Sequence, residues 1–282
     1  MKKIGFVDYY LAEWHADNYP AWIGEASEEL CIAHAWAEKE ESLAYPGRTS
    51  GEWCESHGVE RCATLEELCE KSDVIVILAP SDPEKHLSYA ETVLRYGKPT
   101  YIDKTFAPDL ATAKKIFALA EKYGTPFFSS SALRYAEELD SFAECRQMMV
   151  TGSGSNAPEY VIHLVEMAVK KLGIGARRVK AEQVGAQTYW FIDYGDDRAA
   201  TLVFARSMPY SLYMSTSDPK GTRPVTVTVS SPFFKGLIAD MVRFFDEKTP
   251  SFDPRETLEV MAIREAALLA LESCGEWKEI VS

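Results

Sequence analysis

Along the first 130 residues, short unbroken apolar runs alternate with stretches whose apolar positions recur every three or four residues. Lys3–Val7, Leu30–Ala35, Asp73–Ala79, Thr100–Ile102 and Pro126–Ser129 have the length and composition of strands. Between them the spacing predicts helices over Glu13–Ile23, Thr64–Lys71, Lys85–Tyr96 and Ala107–Tyr123. Thr64-x-x-Glu67 is a capping signature, and Gly97 and Gly124 are stops. Strands that lack polar alternation are buried on both faces. The pattern therefore predicts an α/β arrangement, a doubly wound parallel sheet whose ligand crevice lies at the carboxyl ends of the strands.

From residue 131 the texture changes. A helix is expected over Ala136–Val150, then a loop of turn formers (Thr151 to Pro158), then a helix over Glu159–Leu172. Alternation with a period of two follows over Val179–Val184, Thr188–Tyr194, Ala199–Ala205, Ser211–Ser215 and Val225–Ser230, with Tyr194 to Arg198 as a hairpin turn. Two helices close the chain. Phe233–Glu247 carries the stripe Phe234, Leu237, Ile238, Met241, Val242 and Phe245, and Pro254–Cys274 opens with Asp253-Pro-Arg-Glu. The organisation expected is a Rossmann-like dinucleotide-binding-type domain over residues 1–130 and an α+β domain with a mainly antiparallel sheet over residues 131–282. Trp190, Phe191, Tyr194 and Tyr213 place rings along the strands, either as core or as an apolar face.

Composition narrows the partners. The 282 residues are 46% hydrophobic, and 43 acidic against 30 basic side chains give a formal charge of −13, which disfavours nucleic acid. The longest apolar run, Val74–Pro80, is too short to cross a bilayer. Six cysteines at irregular spacing without CxxC, and a start that lacks a signal-like apolar segment, point to the cytoplasm. Cys54, His57, Cys62 and Cys69 do not have the spacing of a zinc knuckle and read as ordinary half-buried groups, so no metal is expected.

A dinucleotide-binding turn after the first strand needs GxGxxG, because backbone must approach a pyrophosphate without obstruction. Here the three glycine places hold Asp8, Tyr10 and Glu13, two carboxylates and a ring. At the end of the second strand, where an acid would grip a ribose, stand Trp36 and Glu38. Further on come the apolar strand ending in Ala79-Pro80, His86 at the opening of the next helix, a Gly97-Lys98 turn, and Tyr101-Ile-Asp103-Lys104-Thr105. These segments resemble the Gfo/Idh/MocA oxidoreductases, with Asp103-Lys104-Thr105 in place of that family's Glu-Lys-Pro. Glu159-x-x-x-His163-x-x-Glu166 resembles the family's Asp-x-x-x-His-x-x-Asp, and its spacing puts an acid, an imidazole and an acid on one helix face. Phe244–Pro250 and Glu256–Ala262 continue the likeness. The stretch between Val150 and Glu159 is shorter than the family's, which implies a trimmed second domain.

The resemblance implies an NAD(P)-dependent oxidoreductase that transfers hydride at a hydroxyl or carbonyl carbon of a sugar, cyclitol or related polyol. In that reading Lys104 binds the reacting oxygen, His163 is the acid/base and Glu159 orients it. Asp8, Tyr10, Glu38, Ala79, Pro80, His86 and Asp103 line the cofactor site, with His15 beside them. Arg134, Tyr135 and Glu166 meet the small-molecule substrate. The acidic run Glu38 to Glu41 has no arginine for a 2′-phosphate, which favours NAD over NADP. A homo-oligomer through the C-terminal sheet is expected. Two alternatives stay open. One is a non-catalytic protein that binds a small ligand or a partner on a dehydrogenase fold, which Asp8, Tyr10 and Glu13 favour; the other is a redox-neutral lyase or glycosidase that retains its nicotinamide.

Overall fold

The computed structural model describes residues 1–143, 145–216 and 223–281, and every count below refers to these. One unit comprises Met1–Ser130 and Ile238–Phe252. Its strands β1 (Lys2–Asp8), β2 (Leu30–Ala37), β3 (Glu60–Arg61), β4 (Val74–Ile77), β5 (Thr100–Ile102) and β6 (Phe127–Phe128) are all parallel, in the order β3-β2-β1-β4-β5-β6. The connections are α1 (Trp14–Ala26), α2 (Ser50–His57), α3 (Leu65–Lys71), α4 (His86–Val93) and α5 (Leu110–Tyr123). The strand order reverses between β1 and β4, which is where a doubly wound sheet opens its crevice. Every residue of β4 is buried, as its unbroken apolar run requires. At Gly5 a Cβ would lie 2.5 Å from Ser72 Oγ and 2.6 Å from Leu68 Cδ2, so only glycine lets β1 approach α3 this closely.

Local chemistry sets the helix ends. Thr64 caps α3 by accepting from the Glu67 amide, and Asp109 caps α5 by accepting from Thr112 N at 2.6 Å. That cap starts α5 at Leu110 rather than at the expected Ala107. Gly124 ends it at φ 63°, a left-handed conformation that glycine adopts without strain. The expected helix Lys85–Tyr96 is α4 flanked by 3-10 turns at Pro83–Lys85 and Leu94–Tyr96. Helix α2, held by a Thr49/Glu52 capping box, and the two-residue β3 are too short and polar to have shown in the apolar pattern. Residues 238–252, assigned by sequence to the second domain, pack here: Phe244 lies edge-on to Phe128 at 4.8 Å, and Lys2 pairs with Asp246.

The other unit comprises Ser131–Leu237 and Asp253–Ser282. Its sheet has the order β12-β11-β7-β10-β9-β8-β13, built from β7 (Gln147–Gly152), β8 (Arg178–Val184), β9 (Gln187–Asp193), β10 (Ala199–Phe204), β11 (Ser211–Ser215), β12 (Val225–Thr228) and β13 (Trp277–Glu279). Only β7 and β10 run parallel; the other neighbours are antiparallel. The helices α6 (Ala157–Leu172) and α8 (Arg255–Glu272) pack on the sheet and on each other, and Trp190 Nε1 donates to Ala267 O of α8 at 3.0 Å. Helix α7 (Phe233–Glu247) buries Leu237, Ile238, Met241 and Phe245 of its stripe together with Phe244, while Val242 is half-buried.

The structure corrects one expectation. Ala136–Val150 is not a helix: a short 3-10 turn covers Glu137–Ser141, and Gln147–Gly152 is the strand β7 at the centre of the sheet. Ala, Glu, Gln and Met favour a helix there, but burial alternates at Met148 and Val150, and pairing on both edges overrides propensity. A sheet strand therefore lies upstream of the short loop that had suggested a trimmed domain. No helix of the described residues is long and apolar enough to cross a membrane.

Candidate functional site

In the parallel-sheet unit, β1 ends at Asp8 and α1 starts at Trp14, so Asp8, Tyr10 and Glu13 do occupy the turn where a pyrophosphate would be cradled. Asp8 is 1% exposed; its Oδ1 accepts from Tyr9 N at 2.7 Å and from Ala79 N at 3.0 Å, while Oδ2 is buried with no hydrogen-bond partner. Burial, and after it the Glu13 carboxylate, push the Asp8 pKa well above the usual carboxylate range. Tyr10 fills the second glycine place and is nearly buried. Burial and the carboxylates of Asp82, Asp8 and Glu13 push its phenol up to about 12.

Glu13 is the N-cap of α1. Its carboxylate accepts from His15 N at 2.9 Å and from Ala16 N, so it uses the first free amides of the helix. Those amides and the positive end of the helix dipole are what a dinucleotide phosphate binds in this kind of fold. His15 lies between two acids, with Nδ1 3.1 Å from Glu13 and Nε2 3.9 Å from Asp103.

The turn is also strapped to its surroundings. Glu38 N and Lys39 N donate to Asp8 O and Tyr9 O, extending the β1–β2 ladder past both strands. Ser50 Oγ accepts from Leu11 N at 3.0 Å and donates to Lys39 O at 2.9 Å, and Ser42 Oγ donates to Ala12 O at 2.6 Å. Glu38, the expected ribose ligand, accepts from Lys85 Nζ at 2.6 Å and Tyr89 OH at 2.9 Å. Burial acts upward on its pKa, but these two bonds outweigh it and hold the carboxyl below its usual value. Trp36 lies edge-on to Tyr89 at 5.6 Å, and the Tyr9 ring faces the ammonium groups of Lys39 and Lys85 at 5.0 and 4.6 Å.

At the ends of β4 and β5, Ala79 has φ 55°, a left-handed conformation costly for alanine, and the Asp8 carboxylate pins its amide. The buried His86 ring has Nδ1 3.0 Å from Phe106 O and Nε2 2.6 Å from Leu78 O, so both ring nitrogens face backbone carbonyls and the tautomer decides which carbonyl accepts an N–H. Asp103 is 1% exposed; Tyr101 OH donates to its Oδ1 at 2.8 Å. Lys104 is half-buried, its Nζ 3.2 Å from Pro80 O, and its peptide with Thr105 is cis. This end of the sheet keeps a cation at the carboxyl end of a strand, where a substrate oxygen can be bound.

The remaining candidates belong to the second unit. His163 on α6 is half-buried with Nδ1 2.7 Å from Ser131 Oγ, and its ring centroid is 5.5 Å from that of Tyr160. One turn earlier, Glu159 accepts from Asn156 Nδ2 at 2.9 Å and Ser155 Oγ at 3.2 Å, beside the Asn156 cap of the same helix. Arg134 is buried on the 3-10 turn Ala132–Tyr135; it donates to Glu166 at 2.8 Å and also to Glu256. The structure thus brings Arg134 and Glu166 together as a buried pair. Burial outweighs the arginine and keeps the Glu166 pKa above the usual value. Tyr135 lies beside them in sequence, with its Cβ where a side chain at Gly236 would go. Ser131 and Glu256 were not expected at the site; Glu256 stood in the sequence as an acid opening the last helix and the Glu256–Ala262 segment. Among the described residues no group of three or more histidine, cysteine, aspartate or glutamate side chains could hold a metal ion.

Residues 16–131 match the Gfo/Idh/MocA family, described as an oxidoreductase family with an NAD-binding Rossmann fold. The match covers most of the parallel-sheet unit. A 66-residue segment is 36% identical to the uncharacterized oxidoreductase YhhX of Escherichia coli (strain K12), covering 22% of this chain; the chain spans about a fifth (19%) of that relative's length. The whole chain also has the fold of solved dehydrogenases. A scyllo-inositol dehydrogenase from Lactobacillus casei, with bound NAD(H) and scyllo-inositol, superposes with a TM-score of 0.77 at 13% identity, covering 100% of this chain and 99% of that one. A myo-inositol 2-dehydrogenase from Lactobacillus plantarum gives 0.75 at 13% identity and 99% of both chains. At such identities the likeness is one of fold.

Within the family-matched unit, the β1–α1 turn does not fit the pyrophosphate of a dinucleotide. Two acidic side chains and a ring stand at the glycine places, and the Glu13 carboxylate already holds the helix amides. A phosphate about 5 Å from one such carboxylate meets roughly 3 kcal/mol of repulsion at an effective dielectric of about 20. The family match begins at residue 16, just after this turn, and includes Asp103 and Lys104.

Proposed function

We propose that the chain is an oxidoreductase of its family acting at a hydroxyl or carbonyl carbon of a sugar, cyclitol or related polyol. The observation that carries this reading is Lys104: a half-buried cation at the carboxyl end of β5, inside the family-matched segment, beside the Pro80 carbonyl. In this proposal the Lys104 ammonium binds the reacting oxygen. A lone pair of His163 takes or returns the hydroxyl proton, with Ser131 fixing the ring through Nδ1. Glu159 orienting the imidazole, and Arg134, Tyr135 and Glu166 meeting substrate, remain part of the proposal; the Arg134–Glu166 bond supports a positioning share for that pair. The solved inositol dehydrogenases of the same fold support a polyol as substrate class. NAD is the family's hydride carrier, and NAD over NADP follows from the acidic residues beyond β2. Its phosphates have no seat at the amino end of α1 as folded, so no step is assigned through it.

A specific observation favours a second reading. The self-filled β1–α1 turn suits a non-catalytic protein that binds a small ligand on a dehydrogenase fold. Incubation with NAD and a panel of cyclitols and sugars, following reduced nicotinamide at 340 nm, separates the two. Turnover that Lys104→Ala abolishes supports the oxidoreductase; saturable polyol binding without turnover supports the second reading.

For partners, we propose a homo-oligomer through the open face of the second sheet. Tyr213, Met149, Thr201, Phe191, Lys180 and Trp277 stand in direct register across it, and Tyr213, Met149 and Trp277 are each 37–40% exposed. Met149→Lys with Tyr213→Lys should shift sedimentation toward a monomer; an unchanged coefficient would set this surface aside.

A further inference from the structure

Glu13 does two things at once: it terminates α1 as a cap, and it puts a fixed anion where this fold places a ligand's phosphate. Asp8 adds a second carboxyl at the end of β1, anchored through Oδ1 to two backbone amides. Neither side chain can turn aside without cost. Moving Glu13 frees two helix amides, and moving Asp8 frees the amides of Tyr9 and of the left-handed Ala79. Tyr10, nearly buried between them, takes the space the second glycine leaves open.

We infer that Glu13, supported by Asp8 and Tyr10, is a selectivity device that rejects phosphate-bearing ligands from the β1–α1 turn by supplying the helix with its own anion. The turn therefore discriminates against dinucleotides seated in the family's manner, whichever molecule the rest of the chain handles. This inference rests on the family assignment of the fold but not on the oxidoreductase reading. Turnover of a polyol tests that reading; affinity for a bare phosphate group tests this one.

The experiment is calorimetric titration of the intact chain with inorganic pyrophosphate and with ADP. The proteins compared are wild type, Glu13→Gln and the triple variant Asp8→Gly, Tyr10→Gly, Glu13→Gly. Glu13→Gln removes the charge and keeps one of the two cap acceptors, so circular dichroism and a thermal melt of each protein show whether the helix holds while the electrostatics change. Glu13→Gln is expected to bind ADP at least tenfold more tightly than wild type, and the triple variant more tightly still, with the gain shrinking as salt is raised. Wild type binding ADP or pyrophosphate as tightly as Glu13→Gln, or more tightly, overturns the inference. Should the triple variant fail to fold, the Glu13→Gln comparison decides alone.

Discussion

The β1–α1 turn and the end of β5 lie in one unit, yet only the second falls inside the segment that matches the family. At the end of β5 the acid and the lysine stand at the strand's carboxyl end, inside the family match, with Asp103 held by Tyr101 and Lys104 next to Pro80. At the turn, outside the match, acidic and aromatic side chains stand at the glycine places; Glu13 bonds to the first amides of α1, and Asp8 to those of Tyr9 and Ala79. All six strands run parallel on both sides of the crevice. A parallel sheet can therefore carry a lysine at the end of one strand and acids in place of an anion seat at the end of another. Topology depends on apolar burial spread over many residues, and the seat depends on three.

The sharpest way to break this contrast is at the β5 end. Lys104→Ala should lower turnover on a polyol by about 10²–10⁴-fold with an unchanged circular dichroism spectrum, and His163→Ala should lower it with a shifted pH profile. Equal rates for variant and wild type would leave the β5 end with no more chemistry than the turn. The buried Arg134 pair of the second unit is tested through stability. Arg134→Ala strands the buried Glu166 beside Glu256 and should cost about 3–5 kcal/mol in urea unfolding, whereas Arg134→Met with Glu166→Gln should cost far less.

A smaller effect probes the turn itself. The Asp8 pKa is raised in the folded chain by burial and by Glu13, so the native state holds a proton that the unfolded chain releases. Stability is then lost as pH climbs from the unfolded carboxyl value toward the folded one. Asp8→Asn, which keeps an Oδ1 acceptor, should raise Tm by a few degrees at pH 8 and by less at pH 4. A variant less stable than wild type at pH 8 would mean that the carboxylate is paired and charged in the fold. Smallest of all, Ala79→Gly relieves a left-handed alanine and should stabilise by at most about 1 kcal/mol, read from the same thermal scans.

Much of this was legible in the residues, for reasons that also explain the gaps. The parallel sheet was readable because β4 is apolar without alternation, and most helix ends because Thr64, Gly97 and Gly124 are punctuation with a physical cause. Strand β7 was not, since Ala136 to Gln147 is rich in helix formers and only pairing with β10 and β11 decides otherwise. The missing glycines were plain, but not what Glu13 does instead. Glutamate is not one of the usual N-cap residues, so nothing local marked Glu13 as the acceptor for the first amides of α1. Arg134 was marked as a substrate contact because its position after β6 faces a crevice in such folds. Its partnership with Glu166 and Glu256 joins positions 32 and 122 residues away, which no local pattern records.

The central claim is that the turn has exchanged a phosphate seat for its own carboxylates. It is tested most directly by a fluorescence titration of NADH into wild type and into the variant with glycine at positions 8, 10 and 13. The account predicts at least tenfold tighter NADH binding by the glycine variant. Tighter binding by the wild type, lost when the three side chains are removed, would contradict it and make those side chains cofactor ligands.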